Sequence, residues 1–146
     1  MQTFLPYNCF FRSAKSLDMK RLGKQRVEVL QILNCLLDPH SKRGWKNHPA
    51  VKMWKHHEGA LANYGGVICQ EWITRGYKDT CLDKIYNVFY NNTTFEERAH
   101  KFLKPAWYGD TRIHVSHQSN LLRKDPTYYG SQFNDVPSDL PYFWPV

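Results

Sequence analysis

Residues 17–37 read LDMKRLGKQRVEVLQILNCLL, and the fold is decided here. Set on a helix at about 100° per residue, the stretch separates into two unlike faces. Leu22, Val29, Leu30, Leu33 and Leu37 gather on one side, while Arg21, Lys24 and Glu28 align on the other at i, i+3 and i+7. A single carboxylate therefore stands among cations at one end of an apolar helix. Either Lys24 and Glu28 form an ordinary i, i+4 surface pair worth about 0.2–0.5 kcal/mol, or Glu28 is set to work beside a phosphate chain. Arg26 projects on the apolar face, where an unpaired guanidinium is costly. It must find a partner in the core, or the helix turns that face toward a ligand. Gly23 costs about 1 kcal/mol relative to alanine inside a helix and marks a candidate break between a basic turn and the longer apolar helix.

Outward from this helix, residues 1–7 (MQTFLPY) read as an extended segment lying on the core and stopped by Pro6. Ser13 or Ser16 is suited to cap the helix, with Asp18 at its positive end, and Asp38-Pro39 ends it. Residues 40–49, HSKRGWKNHP, form a basic loop with Lys42, Arg43 and Lys46 around Trp45. That set suits either a phosphate-and-base contact surface or an ordinary solvated loop. Pro49 fits a helix N1 position. A helical pattern then runs through Val51, Trp54, Glu58, Leu61, Val67, Ile68 and Trp72, interrupted at Gly65-Gly66 and closed by Gly76. Asp79-Thr80 starts another helix with Leu82, Ile85, Val88 and Phe89 buried. Thr93 or Thr94 caps a short one over residues 95–103. After Pro105 only residues 116–123 look helical; the remainder is turns, prolines and aromatics. The expectation is a mostly α, compact, single-domain helical bundle over residues 1–146. Its body spans about residues 1–104, and an irregular aromatic-rich tail, about 105–146, wraps across it.

A chain of 146 residues with 42% hydrophobic and 23% charged residues is globular rather than disordered. Its net charge of +7 makes a polyanion the first partner to consider. Cys9, Cys35, Cys69 and Cys81 have no metal-ligand spacing; Cys35 and Cys69 read as small buried residues. Free thiols fit a reducing cytosol, with two disulfides the alternative. No signal pattern and no long apolar run is present, so a cytoplasmic protein with no membrane contact is expected. His114 and His117 share a helix face at i, i+3 but lack a third metal ligand, so neither metal nor cofactor is expected. His48, in the basic loop, suits a phosphate or sugar contact. There is no Gly-rich phosphate loop, G-x-S-x-G or kinase set, which removes several common enzyme classes.

The ordered landmarks MQTFLPY, LDMKRLGKQRVEVLQIL, GWKNHPAVKMW, CQEWITRGYKDT and KPAWYG resemble those of the pyrimidine-dimer DNA glycosylases. These are the endonuclease V-like enzymes of phage and bacteria. The resemblance spans most of the chain, although SHQSNLLRKDP and LPYFWPV have no counterpart. It implies a DNA-repair N-glycosylase with associated AP lyase activity. In that chemistry the free α-amine of the chain attacks the sugar C1′ of a damaged nucleotide, and the resulting imine permits β-elimination. A first-helix glutamate stabilises charge on the opening sugar and moves protons.

By this resemblance the glutamate is Glu28. Val27 stands where the family has an arginine, with Arg26 one place further back. Gln2 replaces the family's small second residue. So large a side chain normally blocks methionine removal, so the amine would belong to Met1, or to Gln2 if the methionine is removed. An α-amine ordinarily titrates at about pH 7.7–8.0, so part of it is neutral at pH 7. Lys20 or Lys24 is the alternative nucleophile. Arg21, Lys24, Arg26, Lys42, Arg43 and Lys46 would hold phosphates and bend double-stranded, damaged or modified DNA. Trp45 or a tail aromatic would stack on a distorted base step, unless these rings serve the core. The protein is expected to act as a monomer in a bacterial or phage-infected cell. The competing readings are a non-catalytic nucleic-acid-binding module and a different enzyme on the same scaffold.

Overall fold

The helix expected around Glu28 forms as α2, Met19–Leu37, following Asp18 and ending at Asp38 in extended backbone. These coordinates are a computed structural model that describes residues 1–40 and 44–146. α2 passes through Gly23 unbroken. A Cβ there would stand 3.0 Å from the Trp72 ring, so the glycine admits the indole rather than ending a helix. Ser13 and Ser16 lie within a separate helix, α1 (Phe10–Ser16), whose N-cap is Cys9. Its Sγ accepts the Arg12 N–H at 3.5 Å.

Pro49 opens α3 (Pro49–Lys52). The chain breaks next at His56, in the left-handed region at φ 73°, before α4 (Glu58–Thr74). The expected interruption at Gly65-Gly66 does not occur. A Cβ on Gly65 would lie 2.7 Å from Val29 Cγ1 and 3.0 Å from Ile85 Cδ1, so this glycine serves the close approach of α2 and α5. α5 (Leu82–Asn91) and α6 (Phe95–Lys101) follow; Thr94 Oγ1 caps α6 through the Glu97 N–H. α7 (Thr111–Lys124) begins earlier than its apolar pattern shows, because Asp110 Oδ1 accepts the Arg112 N–H at 3.0 Å and nucleates its first turn. α8 (Pro126–Tyr129) ends the helical part. Among the described residues there is no strand, and no helix is long and apolar enough to cross a membrane.

α2 is the central element, packed against α3, α4 and α5, with α1 and α6 lying on α4. Leu22, Val29, Ile32 and Leu33 of α2 meet Leu61, Tyr64 and Ile68 of α4 and Ile85 and Phe89 of α5 in one cluster. The tail adds to this core instead of building another: Leu121, Tyr129 and Phe133 are buried in it, the last two stacked within 7° of parallel. None of Cys9, Cys35, Cys69 and Cys81 is in a disulfide.

Arg26 finds its partner inside the fold. Its guanidinium pairs with Asp79 at 2.6 Å and lies 4.4 Å from the Trp72 ring centre. Burial pushes the Asp79 carboxyl up, but Arg26 and the Leu82 and Cys81 amides outweigh it and hold the group below the usual carboxylate range. With 14% of its side chain exposed, Arg26 is engaged by the Asp79 carboxylate and the Trp72 ring.

Candidate active site

The first residues form no regular structure, yet much of their backbone is bonded by side chains from distant elements. Gln25 of α2 does most of this. Its Oε1 accepts the Phe4 N–H at 2.9 Å, and its Nε2 donates to the Gln2 carbonyl and to Glu28 Oε2, both at 2.9 Å. Tyr64 of α4 donates its hydroxyl to the Phe4 carbonyl at 2.6 Å and to Gln25 Oε1 at 2.8 Å. Trp54 Nε1 donates to Thr3 Oγ1 at 3.0 Å.

From the opposite side, α7 holds Leu5 by both its polar atoms. The Leu5 N–H donates to His117 Nδ1 at 2.9 Å, and His114 Nδ1 meets the Leu5 carbonyl at 2.7 Å. Gln118 Nε2 donates to the Pro6 carbonyl at 2.7 Å. Burial, with help from His114, lowers the His117 pKa to about 3, so this imidazole is neutral and accepts the Leu5 proton. Both histidines thus bind peptide groups. Among the described residues no group of three or more His, Cys, Asp or Glu is placed to hold a metal ion.

This anchoring delivers the chain's start to Glu28. The Gln2 N–H donates to Glu28 Oε2 at 3.4 Å, and Met1 and Gln2 form one wall of a cleft of about 350 Å³. Lys20, Arg21, Lys24 and Glu28 form another, and Lys124 and Tyr142 from the tail complete it. Lys24 does approach Glu28 Oε1, at 3.7 Å, but Glu28 is only 7% exposed. A carboxylate this enclosed, bonded to Gln25 and to backbone, is more than half of a surface pair. Arg21 is held by Asp18 at 3.1 Å, whereas the Lys24 side chain is 72% exposed. Gln2 turns its side chain inward. Its Oε1 takes the Thr3 N–H at 2.9 Å, while its buried Nε2 has no protein partner.

His48 closes the neighbourhood. Its Nδ1 accepts the Ala50 N–H at 3.0 Å and caps α3. Its ring stands edge-on to Trp45 and Trp144. Burial lowers its pKa, as does the positive charge of the amino terminus, against an opposing effect of Glu28. Trp45 is 54% exposed. Lys46 lines a different hollow. Lys42 and Arg43 lie outside the described residues.

The structure therefore gathers Met1, Gln2, Arg21, Lys24 and Glu28, sets His48 and Trp45 nearby, and takes Arg26 away. Gln25 and Lys124 were not anticipated, and Tyr142 only as one of the tail aromatics suited to stack on a base or serve the core. Gln25 carried a signal, lying three residues before Glu28 on the same side of α2; Lys124 carried none, and only the tail's path decides which tail aromatic, Tyr142, reaches the cleft.

A family model of pyrimidine dimer DNA glycosylases matches residues 1–85, more than half of the chain. The chain belongs to this family. The match includes Met1, Gln2 and every cleft residue of α2, and it stops before α7 and the tail. DNA is accordingly the partner, and pyrimidine dimer glycosylase chemistry the general activity. No curated protein and no solved structure matches the chain at a significant level.

Proposed function

We propose that the protein is an N-glycosylase with AP lyase activity on damaged double-stranded DNA, acting through an imine at the amino terminus. The observation that carries this reading is the bridge from the first peptide to the carboxylate. The Gln2 N–H reaches Glu28 Oε2 directly, and Gln25 ties the Gln2 carbonyl to the same oxygen. With Met1 as the first residue, its α-amine sits one peptide from Glu28 in a cleft lined by Lys20, Arg21, Lys24 and Lys124.

The amine nitrogen attacks C1′ as the glycosidic bond breaks and the base departs with its electron pair. Glu28 takes a proton from that nitrogen and passes it to the ring oxygen as the C1′–O bond breaks, leaving an imine. Loss of a C2′ proton then expels the 3′ phosphate. The lysines hold the flanking phosphates as one enzyme molecule binds one duplex. Lys20 and Lys24 line the same cleft and are the competing nucleophiles.

Borohydride trapping on an abasic and on an ultraviolet-irradiated duplex, with mass mapping of the adduct, tests the reading. An adduct at residue 1 on both duplexes is expected. An adduct at Lys20 or Lys24 would move the nucleophile. Trapping on the abasic duplex alone would remove dimers from the substrate range. DNA binding with no adduct on either would mean a non-catalytic module.

A further inference from the structure

A second hollow, of about 700 Å³, opens beside the far end of α2. Leu36 and Leu37 contribute an apolar floor, and Lys46, Lys52, Lys55 and Lys101 line it as well. Only Lys101 is matched by an acid, through Glu58 at 3.1 Å. Lys46, Lys52 and Lys55 are exposed and have no ion pair among the described residues. Three unmatched cations around a concave surface cost self-repulsion unless an anion joins them.

Position indicates which anion. Cys35, which also lines the hollow, follows Glu28 by seven residues on the same stripe of α2, about 10 Å along the axis at 1.5 Å per residue. The last residues bridge the two depressions. Tyr142 borders the catalytic cleft, Trp144 packs on His48, and Val146 borders the hollow. Cleft and hollow are therefore neighbours, each lined by lysines and joined by the last residues of the chain. A DNA strand advances about 3.4 Å per nucleotide, so this separation corresponds to about three nucleotides.

We infer that the hollow is a second phosphate anchor, gripping the DNA backbone with Lys52, Lys55 and Lys46 about three nucleotides from the base acted on. The inference rests on the DNA reading of the cleft. Lysine suits the task, since a flexible point charge follows a backbone without demanding one geometry. The apolar floor accepts the faces of the sugars.

Binding of duplexes that carry a single stable abasic analogue, with arms of graded length on each side, tests it. For the wild-type protein, affinity should rise about tenfold as one arm, and not the other, passes roughly three base pairs. Lys52→Gln/Lys55→Gln should lose that step and lower the salt slope by about 1.8, two phosphates' worth. Lys52→Arg/Lys55→Arg should restore both, and thermal melting confirms that each variant is folded. On short-armed duplexes the wild-type and glutamine proteins should coincide.

A deficit of equal size at every arm length would make these lysines diffuse charge and overturn the anchor. So would a step that survives in the glutamine variant. The two readings also fail separately. A lysine-dependent step without borohydride trapping removes the imine chemistry and leaves the anchor. Trapping without the step does the reverse.

Discussion

The extended amino-terminal segment and the α2–α4–α5 interior lie side by side and are held by opposite means. The interior is apolar volume, with Val29, Leu33, Leu61, Ile68, Ile85 and Phe89 fully buried against one another. Its specificity is steric: Gly65 is needed because Val29 and Ile85 come too close for a Cβ. The segment is just as buried at Gln2, Thr3, Phe4 and Leu5, but directional bonds from Gln25, Tyr64, Trp54, His114 and His117 fix it. Apolar packing tolerates small shifts of one side chain over another. A hydrogen bond at 2.9 Å does not. On the proposed chemistry, the element that places the nucleophile is thus the one built from bonds, and the element that supplies stability is built from volume.

Gln25→Leu is the sharpest way to break this contrast. It leaves the Phe4 N–H and the Gln2 carbonyl without a partner and frees Glu28 of its brace. The cost in stability should be about 3 kcal/mol, and single-turnover strand cleavage at saturating protein should fall about 100-fold. A rate within twofold of wild type in the folded variant would show that these bonds do not set the chemistry.

Gly65→Ala should do the converse. Overpacking against Val29 and Ile85 is expected to lower stability by about 1–3 kcal/mol in a thermal melt, partly offset by alanine's better helix propensity, while the rate per folded molecule stays unchanged. A lowered rate at full folding would mean that the interior also tunes the site.

The smallest effect concerns pH. His117 has a folded pKa of about 3 and an unfolded one near 6.5, so between these values the unfolded chain takes a proton that the folded one refuses. Nothing is lost above about pH 6.5. Below it this group should remove up to about 1.4 kcal/mol of stability per pH unit until about pH 3. Denaturant titrations at pH 7.0 and 5.5 should show the loss, and His117→Gln should abolish this component. An unchanged pH slope in that variant would assign the acid sensitivity elsewhere.

Much of this molecule is local and was legible as such. The apolar periodicity of residues 17–37, the stop at Asp38-Pro39, Pro49 at a helix start and Thr94 as a cap each depend on neighbours within a few residues. The family was legible too, since its landmarks are short runs in order and its match ends at residue 85. Glu28 could be singled out by its company on the helix.

What could not be read belongs to contacts between distant residues. Arg26 was left with two fates, and Asp79, 53 residues away, decided between them. Gly23 and Gly65 looked like breaks, because a glycine's sequence context does not show whether an indole or another helix lies against it. His114 and His117 resembled an incomplete metal site until Leu5, 109 and 112 residues before them, took both rings. Lys124 and Tyr142 entered the cleft by the path of the tail alone. Periodicity determined which side chains share a face of a helix. Only the tertiary structure could decide what covers each face, because buried polar groups choose their partners in space.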